Sequence, residues 1–201
     1  MLRNNIRPYI IIILIVCLLF LPFLGAVPLF DWDEANFAEA AREMIATGNY
    51  MRVHIDFMPF WEKPPVFIWL QAAAMQLFGV NEFAARLPNA VTGIVTLCCL
   101  YYIGNKVSKN RLGKWWVGLY IASWLPHFYF KTAIIDPLFN LFIFLAVYQV
   151  YAIQYGRKAL RHALLSGIFL GLAVLTKGPA AILIALLTFG VFVVLSKFRT
   201  G

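Results

Sequence analysis

Long runs without a charged side chain, separated by short clusters of lysine and arginine, constrain this chain more than any other feature. The first run covers residues 8–30 and follows Arg3 and Arg7. At about 1.5 Å per residue, a helix over this run would cross the roughly 30 Å hydrocarbon core of a bilayer. Because a signal peptide has an apolar region of only about 7 to 15 residues, we predict an uncleaved first transmembrane helix.

Composition agrees with a membrane location. Of 201 residues, 62% are hydrophobic and only 13% are charged, which would expose far too much apolar surface in a water-soluble domain. The net charge of +8 suits nucleic acid, but the basic residues lie between apolar segments rather than on one soluble face. The sequence contains no Walker-type phosphate-binding loop and no G-x-G-x-x-G motif, so no nucleotide site is predicted.

The basic clusters also predict the topology, because cytoplasmic loops carry an excess of lysine and arginine. The cluster at 106–114 is the strongest, and we place it in the cytoplasm together with the N-terminus. A crossing by residues 66–80 would move this cluster outside, so we predict an interfacial helix there. Six spans are then expected, at 8–30, 84–105, 115–134, 137–156, 162–177 and 179–196.

The predicted fold is therefore an all-α integral membrane protein with about six transmembrane helices and two interfacial helices on the outer face, within a loop at 31–81. The expected location is an inner (plasma) membrane, crossed several times. Residues 1–201 are expected to be the N-terminal transmembrane portion of a longer protein, since the chain stops just after its sixth span.

Most of the carboxylates lie in one polar stretch at 31–65, where function is to be sought first. Asp31 can cap a helix in which Glu34 lies three residues later, and Gly48 suits the residue that follows the last turn. Asp33 is not needed for this cap, because Asp31 or Glu34 alone satisfies the helix end. Asp33 is therefore the better candidate for chemistry.

Two lysines and three acids are candidates for one outer-face site. Glu62 and Lys63 precede two prolines, and a lysine held at headgroup level suits a lipid phosphate, although a snorkelling lysine is the alternative. Asp136 and Lys177 lie at outer ends of predicted spans, where ionisable groups are expensive and usually functional. With Asp33, they suit a reaction in which a carboxylate takes a proton while cations stabilise a departing phosphate.

Other polar residues in these segments have ordinary structural explanations. Glu82 and Arg86 are four residues apart and are expected to pair with each other at the start of the second span. Glu39 and Glu43 are expected on the solvated face of the first interfacial helix. His54 is expected to be a solvated side chain rather than a metal ligand.

Nearly the whole chain carries motifs that, taken together, resemble one family. The motifs are D-E-A-N-F-A-E-A-A-R-E-M, F-W-E-K-P-P, N-E-F-A-A-R-L-P, the Asp136-Pro137 junction and G-L-A-V-L-T-K-G-P. They are similar to those of the GT-C membrane glycosyltransferases, in particular the aminoarabinose-transferase (ArnT) and protein-mannosyltransferase-like group. The resemblance implies a GT-C-like fold and the inverting transfer of a sugar from a polyprenyl-phosphate carrier to a lipid or protein acceptor outside the membrane.

The resemblance also implies roles for individual residues. Asp33 matches the catalytic base or its organiser, Asp136 a second important acid, and Lys63 a lysine that contacts the carrier phosphate. Glu62 matches a residue near a bound divalent metal, the only cofactor that the resemblance suggests. Glu34 and Lys177 are further candidates for substrate binding. The expected partners are the lipid-linked donor, a lipid or protein acceptor and membrane lipids, without nucleic acid.

The sequence departs from the aminoarabinose enzymes just after Asp33. Those enzymes commonly read D-E-T-R-Y, whereas Ala35, Asn36 and Phe37 follow Glu34 in this chain. The sugar and the acceptor therefore stay open. A non-catalytic protein that binds or transports the lipid carrier is the alternative function. Transporters usually place ionisable groups near the membrane midplane, and the predicted position at one surface favours the enzyme.

Overall fold

The computed structural model describes residues 6–30, 32–108, 112–155 and 158–200, and helices account for most of them. The helices are α1 (Arg7–Phe20), α2 (Asp33–Thr47), α3 (Val66–Phe78), α4 (Glu82–Val107), α5 (Leu112–Ala122), α6 (Trp124–Tyr129), α7 (Asp136–Tyr155), α8 (Ala159–Lys177) and α9 (Ala180–Thr200). A two-stranded antiparallel hairpin, β1 (His54–Ile55) with β2 (Met58–Pro59), lies between α2 and α3 in the chain.

Three helices of the described residues are long and apolar enough to cross a membrane. They are Glu82–Val107, Asp136–Ile153 and Ala159–Lys177, and they coincide with three of the predicted spans. Together with the helical content, they confirm the all-α membrane fold. The apolar part of α9, Ala180–Val194, is a shorter helix, and the total number of crossings stays a prediction.

Two of the predicted spans are not continuous helices in the structure. α1 ends at Phe20, and the next residues form turns, so the span expected over 8–30 loses its second half. Pro22 explains this end, because proline lacks the amide proton of a helical hydrogen bond and clashes with the preceding turn. The span expected over 115–134 is divided at Ser123 into α5 and α6. Pro126 would interrupt a continuous helix and instead lies in the first turn of α6.

The two helices predicted for the outer face are both present. α2 ends at Gly48, whose φ of 67° is the left-handed conformation that glycine adopts without strain, as predicted. α3 begins at Val66, directly after the two prolines, as predicted. Ala41 and Met44 of α2 pack in a buried cluster with Ile68 of α3, so the two helices pack on each other. Their contact with a membrane surface stays a prediction.

The start of α2 differs from the predicted capping box. Asp31 lies outside the described residues, and Trp32 precedes the helix with a φ of 72°. No side chain caps the first turn of α2 among the described residues. Glu34 instead accepts a hydrogen bond from the backbone N–H of Phe30 at 2.8 Å, which ties the first turn of α2 to the segment before it.

Candidate active site

A pocket of about 440 Å³ lies between the start of α2 and the β1–β2 hairpin. Asp33, Glu62 and Lys63 line this pocket together, although about 30 residues of chain separate Asp33 from the other two. Asp33 occupies the first position of α2, and the two prolines after Lys63 hold the other pair at the start of α3. Three of the predicted site residues therefore share one cavity.

A loose ion pair joins Asp33 and Lys63 inside the pocket. Lys63 Nζ lies 3.9 Å from Asp33 Oδ1, and the two side chains are 30% and 49% exposed. The ammonium also lies 5.6 Å from the centroid of the Phe37 ring. An ion pair this accessible to water contributes only about 0 to 1 kcal/mol of stability. Lys63 can therefore exchange Asp33 for another anion at little energetic cost.

A second ion pair joins Asp136 and Lys177. These residues are the first of α7 and the last of α8, and the antiparallel packing of the two helices brings them to the same end. Lys177 Nζ lies 2.5 Å from Asp136 Oδ1, and both side chains keep about a third of their surface exposed. The structure thus unites two residues that the sequence singled out separately.

One buried apolar cluster includes residues next to both ion pairs. A buried cluster contains residues that follow or flank each charged position: Phe37, Val66, Phe67, Ile135 and Leu138. Phe37 lies one helical turn after Asp33, and Ile135 directly precedes Asp136. Because these side chains pack together, residues close in sequence to both acids belong to one apolar cluster.

A close approach of two loops connects the lysines as well. Gly178 follows Lys177 with a φ of 74°, a conformation that other residues rarely adopt. A β-carbon added at Gly178 would lie 4.0 Å from Pro64, the residue after Lys63. The residues that follow the two cations therefore lie close together.

Glu34, predicted as a substrate-binding residue, lies in the protein interior. It is 1% exposed, and each carboxylate oxygen accepts two hydrogen bonds. The donors are the backbone N–H groups of Phe30 and Ala133 and the guanidinium of Arg86. Both oxygens of Glu34 are occupied by these donors, which favours a structural role, and its predicted role in substrate binding stays a prediction.

Arg86 forms a buried ion pair with Glu34 rather than the predicted pair with Glu82. Its Nη2 donates to Glu34 Oε2 at 2.8 Å and its Nε to Oε1 at 3.1 Å, in a bidentate geometry. Both side chains are 2% exposed. The prediction failed because Arg86 faces the interior, where burial of its charge requires a partner and several acceptors.

Glu43 is the second acid whose burial was missed. Its carboxylate accepts the backbone N–H of Phe57 at 3.0 and 3.1 Å, and the side chain is fully buried. Asp56 and Phe57 form the hairpin turn with φ values of 55° and 57°, a conformation that costs residues other than glycine energy. Glu43 therefore fixes a strained turn, and the hairpin provides one wall of the pocket.

Glu39, in contrast, lies on the solvated face of α2, as predicted. Arg42 pairs with it at 2.5 Å, three residues later on the helix, and both side chains are exposed. The hydrogen bond from Arg42 lowers the pKa of Glu39 below its ordinary value. Neither residue of this pair lines the pocket, and Glu39 provides a reference for an acid exposed to water.

A metal ion is predicted near Glu62. In the part of the chain that the structure describes, no group of three or more His, Cys, Asp or Glu side chains could hold a metal ion. The residues around Glu62 therefore do not fit a self-contained metal site, and its metal role stays a prediction. His54 lies in β1, and its Nδ1 is buried without a hydrogen-bond partner among the described residues. The expected solvation therefore does not hold for this atom.

Comparisons with known proteins agree with this fold. A family model described as dolichyl-phosphate-mannose-protein mannosyltransferase matches residues 62–200. The undecaprenyl phosphate-alpha-4-amino-4-deoxy-L-arabinose arabinosyl transferase of Shewanella sediminis is 27% identical over 183 residues, covering 90% of this chain and 34% of that protein. Transferase 2 of the same description from Sodalis glossinidius is 28% identical over 199 residues, covering 96% and 36%.

A solved structure matches over a similar range. ArnT from Cupriavidus metallidurans bound to undecaprenyl phosphate superposes with a TM-score of 0.87 at 20% sequence identity. The match covers 96% of this chain and 37% of that one. The chain thus spans roughly a third of the length of the relatives that it matches.

Fold and pocket define a multi-pass helical membrane protein with paired acids and lysines at one end of its helices. The chain belongs to the dolichyl-phosphate-mannose-protein mannosyltransferase family, because the family model covers most of its length. The structural match confirms the predicted GT-C-like fold. Its apolar helices and bacterial relatives make it a multi-pass protein of a bacterial inner membrane.

Proposed function

We propose that this chain is the N-terminal portion of a membrane glycosyltransferase that transfers a sugar from a polyprenyl-phosphate carrier to a lipid or protein acceptor. The observation that carries the proposal is the placement of two acid–lysine pairs, Asp33 with Lys63 and Asp136 with Lys177, around one apolar cluster. The names of the relatives, which specify an undecaprenyl-phosphate-linked sugar, support this class of donor.

Lys63 and Lys177 are suited to bind the carrier phosphate. Each ammonium is only partly exposed and lies beside an aromatic ring, which reduces competition from water. The donor phosphate is a diester with one negative charge, like a carboxylate, but it accepts several hydrogen bonds, so it can replace the acid at each lysine. The lysines would then stabilise the negative charge that develops as the phosphate leaves.

When the phosphate replaces Asp33 at Lys63, Asp33 becomes available as a base. In the transfer step, the acceptor's hydroxyl or amine attacks the anomeric carbon of the sugar from the face opposite the phosphate. The new bond forms as the bond from that carbon to the phosphate oxygen breaks, and polyprenyl phosphate leaves with the electron pair. Asp33 takes the proton from the acceptor. We assign Asp136 a second acidic role at the same end of the molecule.

The proposed site faces the outer side of the membrane. α8 has Lys158 and Arg161 at its start and Lys177 at its end. The end with two basic residues therefore lies away from the proposed site. α4 likewise has Lys106 in its last turn, whereas Arg86 near its start is buried and its charge is paired with Glu34. Since basic residues favour the cytoplasmic side, this arrangement supports an outer location for both acid–lysine pairs.

The direct test is Asp33→Asn in the full-length protein that contains this chain. We expect sugar transfer to fall by about 10²- to 10⁴-fold, the usual contribution of a general base. Transfer is measured as release of polyprenyl phosphate from donors that carry aminoarabinose or a hexose, with a membrane lipid and protein extract as acceptor. The amount of folded protein should not change, because Asp33 is half exposed.

Glu39→Gln is the matched control, since it makes the same carboxylate-to-amide change on the exposed face of the same helix. It should transfer sugar at the wild-type rate. A wild-type rate for Asp33→Asn would overturn the role of that residue. Binding of the donors by the wild-type protein without any transfer would favour the carrier-binding alternative over the enzyme.

A further inference from the structure

Arg86 is fully engaged by Glu34 of α2 and by a segment before α2 that has no regular structure of its own. Its five N–H groups all donate hydrogen bonds. Nε and one Nη2 proton donate to Glu34. The other Nη2 proton donates to the carbonyl of Pro28 at 2.9 Å, and Nη1 donates to the carbonyls of Leu24 and Val27. Arg86 thereby connects α4 to the turn segment that leads from α1 into α2.

Asn89 makes the corresponding contacts with a second irregular segment. It lies three residues after Arg86, on the same side of α4, and is fully buried. Its Nδ2 donates to the carbonyl oxygens of Thr132 at 2.6 Å and Ile134 at 2.7 Å. Residues 130–135 form turns, bends and irregular backbone between α6 and α7. Asn89 therefore fixes the chain just before Asp136.

Glu34 joins the two segments. One of its oxygens accepts the backbone N–H of Ala133, between the two carbonyls that Asn89 binds. The other accepts that of Phe30. Glu34 is also the direct neighbour of Asp33 in the first turn of α2. Every residue from 132 to 134 therefore has a backbone group bound either by Asn89 or by Glu34.

From these contacts we infer that Glu34, Arg86 and Asn89, the buried polar cluster, act as positioning residues that set the geometry of Asp33 relative to Asp136. Asp33 follows the segment held by Arg86, and Asp136 follows the segment held by Asn89. The inference deepens the proposed function and rests on it. A cluster that served stability alone would not need to bind the two segments that end at the two candidate acids.

Asn89→Ala in the full-length protein tests this role, because it removes both hydrogen bonds to residues 132–134 without leaving a buried charge. We expect kcat to fall by about tenfold to a hundredfold, since small displacements of catalytic groups have effects of this size. The apparent KM for the polyprenyl-phosphate donor should stay within about twofold, because both lysines retain their positions.

Gln71→Ala is the matched control. Gln71 is also a fully buried carboxamide, its Nε2 donates to the carbonyl of Ala85 at 2.9 Å, and its oxygen, like that of Asn89, has no partner among the described residues. It joins α3 to α4 and contacts neither irregular segment through this hydrogen bond. A comparable loss of thermal stability is expected, with kcat per folded molecule within about twofold of wild type. Equal losses of kcat in the two variants would overturn the positioning role.

If Asn89→Ala does not fold, Asn89→Ser provides a second test of the positioning role. The serine hydroxyl can donate to one of the two carbonyls, so an intermediate kcat is expected. A wild-type kcat in either Asn89 variant would contradict the inference.

Amide hydrogen exchange separates this inference from the proposed function. Backbone N–H groups at 132–136 should exchange at least about tenfold faster in Asn89→Ala and at the wild-type rate in Gln71→Ala, because local opening follows the loss of local contacts. Absence of sugar transfer by the wild-type protein would defeat the proposed function while leaving this measurement valid. Unchanged exchange at 132–136 in Asn89→Ala would defeat the positioning role.

Discussion

Asp33 and Glu34 are adjacent in the chain, yet they lie in two regions of opposite character. Asp33 faces a pocket, is half exposed, and has a single lysine ammonium at 3.9 Å. Glu34 is buried in the polar cluster and accepts four hydrogen bonds. A carboxylate that is fully bonded in the interior holds the structure, and one with weak, exchangeable contacts is available for chemistry. Spacing alone does not distinguish the two.

The two regions also differ in how they respond to loss of a charge. In the pocket, water can replace either member of the Asp33–Lys63 pair, so the stability of the fold depends little on it. In the buried polar cluster, removal of one partner leaves a charge in a medium that solvates it poorly. Substitutions in the pocket should therefore change function, and those at Glu34 or Arg86 should first change folding.

Arg86→Met should have the largest effect. It leaves Glu34 charged and buried and removes hydrogen bonds from three backbone carbonyls, so we expect a loss of about 3 to 5 kcal/mol of stability. The measurement is the recovery of monodisperse protein from membranes and its apparent melting temperature in detergent. A wild-type melting temperature would show that the pair is not buried as the structure has it.

The double variant Glu34→Leu with Arg86→Met sharpens this prediction. Removing both charges eliminates the unpaired carboxylate, so the double variant should be more stable than Arg86→Met alone. Stability should not return to the wild-type value, because the carbonyls of Leu24, Val27 and Pro28 still lack their donor. Additive losses from the two single changes would contradict a direct interaction.

Lys63→Ala should have an intermediate effect that is confined to function. Loss of one charge-assisted contact to the carrier phosphate should raise the apparent KM for the donor by about tenfold, with an unchanged melting temperature. Lys114→Ala, which removes the same charge near the start of α5, is the control and should keep the wild-type KM. A lower melting temperature for Lys63→Ala with unchanged KM would reverse the assignment of the two regions.

Glu39→Gln should have the smallest effect. The hydrogen bond from Arg42 lowers the pKa of Glu39 in the folded protein, so its stabilising contribution is present above the ordinary glutamate pKa. This contribution is lost as the pH falls through the lowered value. Melting temperatures of the variant and the wild type should therefore differ slightly near neutral pH and converge in acid. A difference that grows in acid would contradict the pKa direction.

Several parts of the fold follow from local rules that can be read in the sequence. Gly48 ends α2 because the left-handed conformation suits glycine, and the prolines before Val66 define where α3 begins. The apolar runs at 84–105, 137–156 and 162–177 predict the three long apolar helices. Lys63 and Asp33 were predicted for one site from the side of the membrane that they share, and the structure places them in one pocket.

Other parts depend on tertiary contacts that no local rule contains. Glu82 is the partner of Arg86 that helical spacing suggests, but its actual partner, Glu34, lies 52 positions away. Glu39 and Glu43 look alike in the sequence. In the structure, Glu43 is the buried one, and it accepts the backbone N–H of Phe57. The prediction of one helix over 8–30 rested on the lack of charge and gave no weight to Pro22, just before which α1 ends.

The contacts of Arg86 have a consequence for how such a protein can be divided or recombined. The family match begins at Glu62, yet Arg86 takes every one of its acceptors from residues before that point. A protein shortened to the matched region, or a chimera with a foreign N-terminal segment, would bury a guanidinium without acceptors. The start of the family match is therefore not a domain boundary. A shortened or chimeric protein has to keep the first 61 residues together with α4.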